Sequence, residues 1–179
     1  MQPPSQPAAA RISALRAPDA AAAQRLRTCL GRFVTGVTVV TFEGPEGRRG
    51  LTINSFSSVS MRPPLIMISI ARTAQAHDAL RGRRFCVNVL GAEQEPVARH
   101  FAGDGTSEPL WADDSVAPRL AGALAHLICE PWRAYDGGDH TIFLGEVIEF
   151  EYRSGDAVAY ANSRFTPVTE PVLGHEYLL

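Results

Sequence analysis

Two stretches of this 179-residue chain gather side chains able to do chemistry. The first is GLTINSFSSVSMRPPLI, residues 50–66. In it Thr52, Asn54, Ser55, Ser57, Ser58 and Ser60 set six small hydroxyl or amide groups beside the apolar run LIMISIA. Such groups suit either a polar loop or the wall of a site whose ligand takes many short hydrogen bonds. The second stretch is DGGDH, Asp136 to His140, just ahead of an alternating segment. Paired glycines let the backbone turn sharply or approach a ligand closely, and His140 then stands at a strand's start, on a rim. A hairpin loop with an exposed histidine explains the same residues, so both readings stand at this level.

Other chemistries fail on spacing. GPEGRRG has three glycines, but not in the G-x-G-x-x-G order of a dinucleotide fingerprint, and no Walker loop is present. His77, His100, His126, His140 and His175 never pair at i, i+4, and they form no zinc pattern with Cys29, Cys86 and Cys129, so no metal is expected. Asp113-Asp114 reads as a solvated loop. Ser57-Ser58 lacks a nucleophile elbow and a neighbouring histidine.

Composition narrows the class. Hydrophobic content of 45% and charged content of 20% fit a globular protein with a real core. The formal net charge of -2 gives no footprint for nucleic acid or an acidic membrane. No apolar run approaches the length of a transmembrane helix. An odd number of scattered cysteines points to a reducing, cytoplasmic setting without disulfides. Residues 1–19, biased to Pro, Gln and Ala, read as a flexible tail, leaving 20–179 as one domain.

The elements that must position these residues follow from periodicity. Residues 20–33 predict a helix capped by Asp19, with Leu26, Leu30 and Phe33 at helical spacing. VTVVTF (37–42) predicts a strand, 43–50 a turn, and 51–60 the returning strand of a hairpin. LIMISIA (65–71) and FCVNVL (85–90) read as buried strands, with a short helix over 73–80 between them. A helix over 93–101 takes Pro96 in its first turn, and 103–118 reads as a long irregular connection. Residues 123–132 and 140–152 alternate like antiparallel strands joined through 134–139, and a short strand near 158–161 precedes a tail. Six or seven strands joined mostly by turns favour an antiparallel barrel.

Together these blocks resemble the flavin reductase family, the short-chain NAD(P)H:flavin oxidoreductases that supply reduced flavin to two-component monooxygenases. The resemblance rests on FVTGVTVVT (33–41), GLTINSFSSVS (50–60) with RPPL (62–65), FCVNVL (85–90), the pair HF (100–101), and GGDH followed by GEV (137–147). It implies a mainly β fold, an FMN-binding split β-barrel with a few short peripheral helices, normally a homodimer. It implies FAD or FMN as flavin, NADH or NADPH as hydride donor, and a separate flavin-dependent monooxygenase as partner. Arg49, Gly50, Leu51, Thr52, Asn54 and Ser55 would line the flavin. Ser69, Ile70, Ala71, Gln75 and Ala76 would hold its ribityl phosphate side, with Arg49 and Arg72 as possible sources of charge and His100 and Phe101 closing the site. His140 would be the catalytic-site histidine beside the nicotinamide. Tyr160, Ala161, Asn162, Ser163 and Arg164 would contact the rest of that nucleotide, although Ser163 stands where the family has glycine. Two other uses of such a scaffold are a non-catalytic flavin- or haem-binding carrier or sensor, which would not need the G-G-D-H histidine, and a pyridoxamine-phosphate-oxidase-like enzyme, whose basic phosphate ligands have no clear match.

Overall fold

The computed structural model describes residues 19–105, 107–112 and 116–168. The expected tail, apart from Asp19, lies outside them. The first helix, α1 (Ala20–Leu30), starts where the Asp19 carboxylate accepts the Ala22 N–H at 2.7 Å. It stops at Leu30, short of Phe33. Among the described residues its apolar stripe is left largely uncovered: Leu30 is 65% and Phe33, just beyond the helix, 76% exposed.

A two-residue strand, β1 (Thr35–Gly36), leads into the hairpin of β2 (Thr38–Gly44) and β3 (Gly47–Ile53), which turns tightly at Pro45-Glu46. The predicted strand over 51–60 is not one strand. It breaks at 54–56, and β4 (Ser57–Met61) pairs instead with β5 (Pro64–Ala71). Helix α2 is confined to Ala76–Leu80, and β6 covers Phe85–Val89. A 3-10 turn, Ala92–Gln94, opens α3 (Glu95–Ala102), with Pro96 in its first turn as expected. The connection that follows is less irregular than expected: β7 (Trp111–Ala112) pairs with β8 (Arg119–Leu120). Strand β9 (Ala125–Gly137) runs to the glycines themselves, so the predicted loop over 134–139 shrinks to the two-residue turn Gly138-Asp139 before β10 (His140–Tyr152). Gly138 has φ +77. A glycine in the left-handed region at the first turn position is what the right-handed twist of a two-residue hairpin favours. The last described elements form the hairpin of β11 (Ala157–Ala161) and β12 (Arg164–Val168), the second strand being one that Pro167 concealed.

The main sheet has the order β3-β2-β6-β9-β10-β5-β4. Strands β3 and β4 stand at its two ends, yet only residues 54–56 separate them in sequence. The sheet therefore curls back on itself, and its core demonstrates this: Val40 and Phe42 of β2 share one cluster with Ile66, Ile68 and Ile70 of β5, with three strands between the two in the order, and with Phe85, Val87 and Phe143. This is a split β-barrel. The other face of β2 is buried too: Val39, with Val37 just before the strand, packs with Ala98 of α3, Leu90, Leu120 and Val158. Burial on both faces is why 37–42 reads as a continuous apolar run. Asn88, fully buried, is satisfied by donating to Val39 O at 2.8 Å and Thr41 Oγ1 at 2.9 Å and by accepting the Leu120 N–H at 2.8 Å. Among the described residues, no helix is long and apolar enough to cross a membrane.

Candidate active site

Two clefts open along β3. One, of about 380 Å³, is lined by Arg49, Gly50 and Leu51, by Ala74, Gln75 and Ala76 at the approach to α2, and by Phe101 and Gly103 at the end of α3. The next, of about 310 Å³, continues through Thr52, Ile53 and Asn54 to Tyr160, Ser163 and Phe165, with Arg99 and Asp104 on its wall. Ala102 lines both. The polar character of 49–55 follows: β3 is an end strand whose residues are only partly covered.

Several of the polar side chains work as braces. The Thr52 hydroxyl donates to Ala98 O of α3 at 2.7 Å. The Ser55 hydroxyl donates to Ser69 O at 2.7 Å and accepts the Ser69 N–H at 3.1 Å, closing the split between the 54–56 link and β5. Gly50 carries no side chain where Phe101 sits: a Cβ there would lie 2.5 Å from Phe101 Cε1. The Phe101 ring is in turn held edge-on to His100 at 4.9 Å and to Trp111 at 6.1 Å. His100 lines neither cleft, and its Nδ1 is buried without a hydrogen-bond partner among the described residues. Ile70 points into the barrel core. Both arginines named for charge are engaged, Arg49 with Glu46 and Arg72 with Asp136.

The segment 160–164 is the tip of the last hairpin. Asn162 and Ser163 have φ of 50 and 62, the pattern of a type I′ turn. Its Asn162 N–H donates to Gly31 O at 2.8 Å, which ties the tip to the end of α1. Tyr160 and Ser163 reach the second cleft; Arg164 is exposed, and Ala161, Asn162 and Arg164 line neither.

His140 lies at the other side. It pairs across the sheet with Ala71 at the end of β5 and with Gly137 of β9, and it lines neither cleft. One chain therefore does not bring His140 together with Tyr160 and Ser163. Three residues after Ala71 the chain reaches Ala74, on the wall of the first cleft. Asp139 Oδ1 lies 2.6 Å from His140 Nδ1. A carboxylate only accepts, so Nδ1 carries the proton and Nε2 is left for another partner. That hydrogen bond, with the histidine's charge, holds the Asp139 carboxyl below its ordinary range.

Sequence reasoning did not find Arg99, Asp104 or Phe165. The Glu95 to Arg99 spacing is a legible helical pair, and the two are bonded at 2.9 Å and 2.6 Å. That Arg99 then lies 5.2 Å over the Phe165 ring is a contact only the fold creates. Burial pushes the Cys86 and Cys129 thiols up to about 12, which removes both as nucleophiles. Among the described residues, no three His, Cys, Asp or Glu side chains gather as a metal site.

The flavin reductase like domain matches residues 30–169 of the chain. The chain belongs to this family. An NADH-dependent FAD reductase of Streptomyces globisporus is 45% identical over 152 residues, covering 79% of this chain and 83% of that protein. The reductase component of a 4-nitrophenol 4-monooxygenase/4-nitrocatechol 2-monooxygenase of Rhodococcus opacus is 35% identical over 145 residues, covering 78% and 77%. The solved NADH:FAD oxidoreductase of Streptomyces globisporus, in complex with NAD and FAD fragments, superposes with a TM-score of 0.75 at 44% identity, covering 83% of this chain and 93% of that one. The split barrel is thus the architecture of other flavin reductases.

Proposed function

We propose that this flavin reductase passes a hydride from NADH to FAD and releases the reduced flavin to a separate flavin-dependent monooxygenase. The observation that carries the reading is the pair of adjoining clefts along β3, sized and lined for two substrates that must meet. Each volume falls in the range of small-molecule sites, roughly 300–1,000 Å³. The flavin and the nicotinamide supply the redox chemistry themselves. The chain's part is to hold the rings at contact distance and exclude water.

On this reading the flavin ring lies in the first cleft, along the side-chain-free edge at Gly50 and against Phe101. Thr52 and Ser55 act mainly by fixing β3 against α3 and β5, so that Asn54 and the backbone of 50–52 meet the ligand in one geometry. The nicotinamide ring lies over the flavin, on the side where the chain runs from Ala71, the cross-strand partner of His140, to Ala74 of the cleft wall. The remainder of NADH runs into the second cleft, toward Tyr160 and Ser163. NADH and FAD are proposed because the similar reductase of Streptomyces globisporus is NADH-dependent and reduces FAD. A passive flavin carrier is the weaker reading, since it has no use for a second cleft joined to the first.

The working unit in this proposal is the domain 20–179 as a homodimer in the cytoplasm. A second copy would cover Leu30, Phe33, Phe150 and Tyr152, which one chain leaves 65–80% exposed. The test is steady-state oxidation of NADH and NADPH with FAD or FMN added. A rate that needs flavin and prefers NADH and FAD is expected; no flavin-dependent rate with any pairing would remove the enzyme reading.

A further inference from the structure

We propose that Arg72 is a positioning residue for His140: it clamps the Gly138-Asp139 turn to the segment that runs into the flavin cleft, and so fixes the direction of the imidazole. The proposal rests on His140 being a substrate contact, and its experiment separates the two ideas.

Arg72 follows Ala71, the last residue of β5 and the cross-strand partner of His140. It grips the turn at three points. Its backbone N–H donates to Asp139 O at 2.9 Å. Its guanidinium donates from Nε to Gly138 O at 3.0 Å and from Nη2 to Asp136 Oδ2 at 3.0 Å. Asp136 accepts the Gly138 N–H on its other oxygen at 2.8 Å, so one carboxylate links the arginine to the turn. The next bond outward is His140 Nδ1–H to Asp139. The line therefore runs from the cleft wall at Ala74, through Arg72, to Asp139 and the ring of His140.

The side chain is spent on geometry and adds little to stability. The Arg72 side chain is 42% and that of Asp136 81% exposed, a setting in which an ion pair gains little. The hairpin is fastened elsewhere: His77 of α2 meets Thr141, the residue after His140, at 2.8 Å inside the protein. A planar fork that reaches a carbonyl and a carboxylate at once cannot be copied by a lysine ammonium. The engagement also removes Arg72 from the role of a free cation for phosphate.

The experiment uses the full chain, with single-turnover flavin reduction by NADH and nitrogen-15 spectra of the histidines. Variants are Arg72→Ala, Arg72→Lys, His140→Ala and the double Arg72→Ala/His140→Ala. Expected for Arg72→Ala are a thermal midpoint within a few degrees of the parent, FAD affinity unchanged, hydride transfer slowed by up to roughly a hundredfold, and a His140 ring no longer held as the Nδ1–H form. Arg72→Lys restores only part of the rate. In the double variant the Arg72 change adds nothing to the His140 loss, the signature of residues acting as one unit. Loss of FAD affinity first, full additivity with His140→Ala, or an unchanged His140 spectrum would each overturn the proposal. If the parent itself reduces no flavin, the functional reading fails, while the spectra still decide whether Arg72 holds His140.

Discussion

Phe101 occupies the space a side chain at residue 50 would need. The ring edge lies 2.5 Å from where a Cβ on Gly50 would be built, with a second ring carbon at 2.7 Å. Since His100 and Trp111 hold that ring from other sides, it can yield mainly toward the cleft. Gly50→Ala is expected to weaken flavin binding and to cost about 1–3 kcal/mol of stability, the range for overpacking. Flavin fluorescence titration and thermal melting check both; unchanged affinity with a displaced ring would exclude this edge as the flavin's.

Ser55→Ala removes one hydroxyl that both donates to and accepts from Ser69. Each lost hydrogen bond of this kind is worth roughly 0.5–1.5 kcal/mol. The expected outcome is a loss of about 1–3 kcal/mol in a denaturant titration. Flavin affinity should fall in the same variant, because the 54–56 link is then free to move. Steady-state KM for NADH should change less than the flavin Kd.

Ser163 adopts a left-handed backbone that costs an ordinary residue roughly 1–2 kcal/mol. Ser163→Gly relieves that cost and adds chain entropy to lose, so the melting temperature should hold or rise slightly. Ser163→Val should lower it clearly, since a β-branched side chain tolerates this conformation worst. Equal effects of the two variants would show that the turn is not as described.

The strand cysteines give a prediction with a pH sign. Cys86 and Cys129 stay protonated in the fold, with values raised from 9.0 to about 12, whereas an unfolded thiol ionises near its ordinary value. Their contribution to stability is whole below about pH 9 and is lost as pH rises toward 12. At neutral pH a thiol reagent should modify exposed Cys29 first and reach the other two only on unfolding. Thiol counts with and without denaturant measure this.

Much of the barrel is legible in the sequence where burial is two-sided. VTVVTF, LIMISIA and FCVNVL announce β2, β5 and β6 because both faces or one whole face must be apolar. The break at residues 54–56 is not legible, since Asn54 and Ser55 sit among residues that suit a strand, Thr52, Ile53 and Phe56, and only the closing of the sheet decides. The reach of β9 beyond Trp132 is not legible because its outer half is exposed and obeys no alternation. In the site, Gly50 and Phe101 follow from resemblance alone; their contact across 51 positions is a product of α3 docking on β3. The commitment of Arg72 to Asp136 is equally silent in sequence, since it depends on the register that sets Ala71 opposite His140.

On the proposed reading the two clefts bring a nicotinamide and a flavin into contact. The most direct measurement is anaerobic stopped flow, mixing protein and FAD with NADH and following the visible absorbance of the oxidised flavin. Bleaching is expected to saturate in both FAD and NADH and to fall sharply in His140→Ala, with flavin affinity intact. No bleaching with FAD or FMN, at any NADH concentration, would contradict it.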